Sequence, residues 1–309
     1  MKKTLIALAA VAATSAFAQS TVTLSGALDI AYQKVDGSKA AMTQTHGSRF
    51  RLVGSEDLGG GLKANFNIEH RLNLKDGTNS GDNNTTDTFW NGVSTLGLSG
   101  SFGTVNFGRQ YTAGFLSANN KADPFGGDGF GALRGVGMRT TNVNGTLRAA
   151  QSVGYTNSFG PVSVHLTSAD QGSGVKRHTG VAVGFTQGAF SAGFGKDTGT
   201  DGTEVTNFYG GYDMGFAQVT VGTGETGGTA AVTKGKLIAI SAPMGAGVIK
   251  AGYASAENAA GTTTNSKVGL GYSYNLSKRS RLDFTVGKDS KATATGSKSG
   301  SDVTLTHTF

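Results

Sequence analysis

The side chains best placed to do chemistry in this 309-residue chain are arginines that alternate with apolar residues. Arg49 and Arg51 alternate with Phe50 and Leu52. Glu69 and Arg71 share a face with Lys63, Asn65 and Asn67, opposite Leu62, Phe66, Ile68 and Leu72. Asp29 lies between Leu28 and Ile30, on the face of Thr23, Ser25, Ala27 and Ala31. A period of two is that of a β-strand with one apolar and one polar face. Guanidinium groups keep their charge and cannot act as bases, so the chemistry they offer on a polar wall is electrostatic. They would either attract passing anions or balance the carboxylates of Asp29 and Glu69. Arg148, just ahead of Ser152-Val153-Gly154-Tyr155, has the same polar parity. Arg109 falls on the parity of Val105 and Phe107, and its direction depends on whether a bulge intervenes.

Other chemistries find little support. The five histidines (His46, His70, His165, His178 and His307) are scattered, with no H-E-x-x-H or paired spacing, and surface or lumen positions explain them without a metal. With no cysteine there is neither thiol catalysis nor a thiolate metal site, and no disulfide staple. The run Asp197 to Glu204 is too short for an EF-hand and reads as a solvated loop. The glycines from Gly126 to Gly137 lack the G-K-[ST] ending of a phosphate loop. No cofactor is implied.

The elements that must hold the arginines are strands. Lys2 and Lys3, the apolar run Leu5 to Ala13 and the A-x-A motif Ala16-Phe17-Ala18 form a cleavable signal peptide over residues 1–18. A single domain, 19–309, follows. In it the apolar/polar alternation recurs about every 10 residues, the spacing of membrane-barrel segments. Sixteen strands are expected, including Arg49 to Glu56, Trp90 to Ser99, Thr104 to Tyr111 and Asn265 to Asn275. Connections are expected to alternate strictly between tight turns and longer polar loops, with Pro161 and Pro243 in turns. Residues 33–48 and 75–88 read as loops. The longest unpatterned stretch, 112–147, carries Asp123, Pro124, Arg134 and Arg139, and its length marks it as functional. The last strand places Val303, Leu305, His307 and Phe309 on one face and ends on an aromatic residue. Aromatics such as Tyr155, Phe159, Phe216, Tyr272 and Tyr274 lie near the tight turns, as an interfacial girdle should.

Composition agrees. Gly is frequent at 50 and Pro rare at 3, which excludes collagen and a Pro-rich tail. The net charge of +7 is spread among acidic residues and is not gathered on one face, so no nucleic-acid partner is expected. Mean hydropathy is slightly negative at −0.17, as alternating lipid-facing and water-facing residues would produce.

Several segments resemble the β-proteobacterial general porins: Ser48-Arg49-Phe50, Gly54-Ser55-Glu56-Asp57-Leu58-Gly59-Gly60-Gly61-Leu62-Lys63-Ala64, Phe102-Gly103-Thr104, Gly108-Arg109-Gln110, Ser152-Val153-Gly154-Tyr155, Leu276-Ser277-Lys278-Arg279 and His307-Thr308-Phe309. The resemblance covers nearly all of the mature chain. It implies an all-β, 16-stranded antiparallel transmembrane barrel in the Gram-negative outer membrane, assembled as a homotrimer. It further implies a third extracellular loop, 112–147, folded into the pore and narrowing it. Arg49 and Arg148 match two rungs of the arginine ladder that such pores carry; Arg51, Arg71, Glu69, Asp29, Arg134, Arg139 and Asp123 are the other expected lining residues. The arginine that the family usually has early in strand four is replaced by the sequence Trp90-Asn91-Gly92-Val93, so only a moderate preference for anions is expected. The implied partners are outer-membrane lipid and lipopolysaccharide, small hydrophilic solutes and inorganic ions, and the periplasmic chaperones and barrel-assembly machinery that would read Phe309. A barrel enzyme would need a grouped Ser/His/Asp-type site, and an adhesin would need aromatic anchors in its loops; neither is readable.

Overall fold

A computed structural model describes residues 20–80, 88–138, 147–170, 172, 176–292 and 298–309. The signal peptide and its cleavage site lie outside the described residues. The strands are β1 Thr21–Val35, β2 Ala41–Thr43, β3 Ser48–Gly59, β4 Leu62–Leu72, β5 Ser94–Gly100, β6 Gly103–Tyr111, β7 Arg148–Phe159, β8 Val162–Ala169 and β9 His178–Gln187. They continue as β10 Phe190–Thr198, β11 Thr203–Asp213, β12 Gln218–Gly228, β13 Thr233–Met244, β14 Gly247–Asn258, β15 Thr263–Asn275, β16 Ser280–Asp289 and β17 Ser299–Thr308. Every long strand pairs antiparallel with its neighbours, and β1 pairs with both β3 and β17, so the sheet closes on itself. The result is a 16-stranded barrel with β2 as a short addition to β1.

The expected alternation is what builds the wall. Val22, Leu24, Tyr32, Leu96, Phe107, Val221, Ile238, Leu270 and Val286 are all exposed on the outer face. Their partners in parity, such as Asp29, Glu69, Asn207 and Asp302, are buried inside. Closure leaves no open edge among the paired long strands, which is what a lipid surround demands. The closing seam is β17 on β1, in the register Ala27↔Thr308. Phe309 completes it: its N–H donates to the Gly26 carbonyl and its own carbonyl accepts the Gly26 N–H. At the same end Phe159, Phe190 and Phe216 are exposed. Tyr155 and Tyr272 there donate their hydroxyl protons to the carbonyls of Phe102 and Met244. Rings buried in hydrocarbon with hydroxyls on turn carbonyls suit a membrane–water boundary.

Four expectations need correction. Residues 33–48 are not all loop: β1 runs on to Val35, and Ala41–Thr43 pairs with it. The fourth expected strand begins at Ser94, not Trp90. Asn91 leaves the ladder because its side chain is engaged elsewhere: its Oδ1 accepts the Arg71 N–H at 2.8 Å and its Nδ2 donates to the Arg71 carbonyl at 3.2 Å. The strict alternation of short and long connections fails at three places in the second half. Residues 199–202, 229–232 and 259–262 are no longer than the turns 214–217 and 276–279 at the opposite end, because pairing there extends the strands outward. Pro243 lies inside β13, opposite Val248, near the strand's end.

Candidate functional site

The described part of loop 112–147 is folded back along the inside of the barrel. It contains a π-helical turn, Phe115–Asn119, and a single helical turn, α1 Arg134–Gly137. Asp123 holds the loop's shape: one carboxylate oxygen accepts the N–H groups of Leu133 and Arg134 at 2.7 and 2.8 Å, the other that of Phe125 at 3.0 Å. Charge-assisted bonds of this kind satisfy donors that the loop would otherwise bury unpaired. Ala122, Phe125, Leu133 and Met138 of the loop pack with Leu237, Ala239 and Ala254 of β13 and β14 in one dry cluster. Polar ties extend the contact to both sides. Thr220 on β12 donates to the Ala122 carbonyl at 2.7 Å. The Phe130 N–H donates to Asp302 on β17 at 2.6 Å, and the Gly131 N–H to Thr285 Oγ1 on β16 at 3.1 Å. At the loop's start Thr112 donates to Asp197 on β10 at 3.0 Å. Asp197 is therefore no part of a solvated loop: it points inward and is buried.

Across from this packed side lies a cavity of about 580 Å³. Arg49, Arg51 and Arg71 line it from β3 and β4, Arg148 from β7 and Arg134 from the loop. The barrel-wall arginines are held by short-range partners. Arg49 donates to the carbonyl oxygens of His46 and Gly47. Arg51 and Arg71 both grip Glu69, which is fully buried between them. Arg71 also donates to the Tyr111 hydroxyl at 2.9 Å, and Arg148 donates to the same oxygen while lying 4.2 Å from the centre of that ring. Tyr111 in turn stacks on Phe115, at 5.0 Å between ring centres, and Phe115 carries Arg134 on its face. Burial lowers the Arg134 pKa from its ordinary value, against the pull of Asp128 and Asp123.

Three expected lining residues are covered. Glu69 lies beneath its two arginines, and Asp123 is turned into the loop. Asp29 is capped by the chain that follows β2, accepting the N–H groups of Thr45 and His46 at 2.8 and 3.1 Å. Arg139 lies outside the described residues. Arg109 shows the bulge on which its direction depended, a register shift between Gly108 and Gln110; its Nε donates to the Asn91 carbonyl at 3.0 Å, away from the cavity.

Two charged lining residues escape a reading of the sequence. His46 bridges Asp128 of the loop and Asp283 of β16, 3.0 Å from each. Burial alone would lower its pKa, but hydrogen bonds to Asp128 and Asp283 and their charges outweigh that and raise it to about 9. It is a fixed cation that clasps loop to wall. Asp128 is the carboxylate that lines the cavity. The other histidines differ from one another: His178 is fully buried, and His70 stacks under Phe89 at 4.1 Å.

A closed antiparallel barrel with an apolar outer face and charged inner face is the architecture of a transmembrane β-barrel. This chain belongs to the Gram-negative porin family, whose model matches residues 4–294. It is 32% identical over 320 residues to outer membrane porin protein 32 of Delftia acidovorans, covering 91% of this chain and 88% of that one. Its structure matches the anion-selective porin from Comamonas acidovorans with a TM-score of 0.76 and 27% identity, over 94% of this chain and all of that one. The barrel of the Vibrio cholerae outer membrane protein OmpT, in its trimer form, matches with a TM-score of 0.69 at 19% identity, over 94% of this chain and 99% of that one. The protein is an outer-membrane porin, a water-filled channel for passive diffusion of small hydrophilic solutes and ions.

Proposed function

We propose that this porin is a moderately anion-selective trimer whose passage runs between the arginines of β3, β4 and β7 and the inward-folded residues 112–138. The observation that carries this reading is the charge of the cavity between them: Arg49, Arg51, Arg71, Arg134 and Arg148 line it together with His46, against Asp128. A narrow passage between low-dielectric walls concentrates the field of fixed charges, so anions enter more readily than cations. The preference stays moderate because Glu69 lies directly behind Arg51 and Arg71, and because the stretch Trp90-Asn91-Gly92-Val93 lacks the further arginine usual in the family. Selectivity for anions in the Comamonas porin and the trimer form of the Vibrio protein favour the same reading here. The chain is no enzyme on this reading. Its further partners are outer-membrane lipid and lipopolysaccharide, and the periplasmic chaperones and assembly machinery that would bring Phe309 to the closing seam.

The test is the purified protein in a planar bilayer under a salt gradient, with a parallel hydrolase screen. Ohmic steps and a zero-current potential on the anion side are expected. A cation-side potential would remove the selectivity; turnover without conductance would favour an enzyme.

A further inference from the structure

The wall that carries the loop is paved with glycine. Gly193 and Gly195 on β10, Gly222 and Gly224 on β12, Gly235 on β13, Gly252 on β14, Gly269 on β15, Gly287 on β16 and Gly300 on β17 all stand on the inner face. At each, a Cβ atom would fall within 3.0 Å of an atom of loop 112–147. The atoms met are often backbone: the Ser117 carbonyl over Gly193, the Val136 carbonyl over Gly235, the Gly131 carbonyl over Gly269 and the Phe130 carbonyl over Gly287. None of these glycines has a left-handed φ, so the backbone does not demand them. What demands them is the space. Hydrogen bonds from the Phe130 and Gly131 N–H groups to Asp302 and Thr285 fix the loop at that distance.

We propose that these glycines, above all Gly269, Gly287 and Gly300, are the positioning residues that set the pore's aperture. They let the loop backbone lie one side-chain layer closer to β15–β17 than an ordinary strand would permit, and so leave the opposite side free for the passage. A methyl group there moves the loop toward Arg49, Arg71 and Arg148, because a packed interior passes displacement on and does not absorb it. The inference rests on the reading of loop 112–147 as the constriction.

The geometry separates the positions. At Gly300 the added Cβ meets only the ring of Phe130, a side chain. At Gly287 and Gly269 it meets carbonyl groups. Truncating Phe130 can therefore relieve Gly300→Ala and cannot relieve Gly287→Ala. The experiment measures single-channel conductance and zero-current potential in Gly300→Ala and Gly287→Ala, each with and without Phe130→Ala. Gly210→Ala, which meets only a Val221 methyl at 3.4 Å, is the control. Semi-native gels establish that each variant folds. Both inner-wall variants should lower conductance roughly twofold, with Phe130→Ala restoring Gly300→Ala alone. In a chain lacking most of loop 112–147 the same substitutions should change nothing. Folded variants with unchanged or raised conductance would overturn the inference, as would rescue of both positions by Phe130→Ala. If removing the loop itself leaves conductance unchanged, it is the reading of the loop as constriction that fails. If the glycine variants do not fold, the pair Gly300→Ala with Phe130→Ala still decides, since its clash has been removed and conductance like that of Phe130→Ala alone is then required.

Discussion

The two sides of this barrel's interior are built on opposite plans. On β3, β4 and β7 the inner face carries long cationic side chains that border the cavity: Arg49, Arg51, Arg71 and, buried against Tyr111, Arg148. On β10 and β12 to β17 it carries glycine, and the loop fills the room thus made. Polar side chains line a passage by extending into it; glycine lines a seat by withdrawing from it. Neither half could serve the other's purpose. A loop laid over β3 and β4 would take the guanidinium groups of Arg49, Arg51 and Arg71 further out of water, at a cost of roughly several kcal/mol per ion. The glycine side, without its loop, would be a wide opening.

The most drastic way to break the asymmetry is to remove what fills it. Deleting most of loop 112–147 should raise single-channel conductance roughly two- to threefold and admit larger sugars, because the barrel's own width then sets the limit. Conductance that hardly changes would mean that the loop does not border the passage.

The arginine side can be broken at its hidden anion. Glu69 neutralises Arg51 and Arg71 from a fully buried position. Glu69→Ala leaves two guanidinium groups close together without their shared partner, and removing one member of a buried ion set costs about 3 kcal/mol. Arg51 is partly solvated, which reduces that figure. A clear fall in the thermal midpoint of the folded barrel is expected, with anion preference increased in the fraction that folds. A midpoint equal to that of the parent would show that Glu69 is not what holds the pair.

The clasp between the two sides gives a smaller effect with a definite pH dependence. The folded-state pKa of His46 is raised to about 9, from 6.5. Its contribution to holding the loop is therefore complete below about pH 6.5 and is lost as pH rises through 9. The groups facing it are Asp128, Asp283 and, behind Asp283, Arg281, whose Nε donates to the same carboxylate at 2.8 Å. Channel noise should grow between pH 7 and 10 in the parent chain. His46→Gln, which never carries the charge, should be noisy throughout and flat in that range. A parent as quiet at pH 10 as at pH 7 would show that the clasp does not hold the loop.

Much of this design is legible in the sequence. Parity alone puts Arg49, Arg51, Arg71 and Arg148 on the polar face, because one strand's side-chain direction is a local property. The barrel is legible because the same local rule repeats along the chain. What the sequence hides is long-range. His46 meets partners 82 and 237 residues away, and nothing beside it in the chain marks the meeting. Asp197 sits in a stretch that resembles a hydrated loop, but β10 runs on through it with the inward parity of Gly193 and Gly195, and Thr112, 85 residues away, donates to it there. Asp29 and Glu69 have the right parity, yet neighbouring segments cover them. The glycines of β12 to β17 are a signal in plain view. Their number reads as composition, whereas their inner-face positions on successive strands mark where the loop lies.

Whether the arginine side sets which ions pass is tested most directly by the zero-current potential of the double variant Arg49→Glu, Arg148→Glu. Each substitution turns a positive charge on the cavity wall negative. Salt in the passage screens the charges that border it, so the effect is greatest at low ionic strength. A moderate anion-side potential is expected in the parent and a shift toward cations in the variant, most visible at low salt and fading as salt is added. A double variant that folds and keeps the parent's potential at low salt would show that Arg49 and Arg148 do not border the ion path, and the assignment of the passage to that side of the barrel would be wrong.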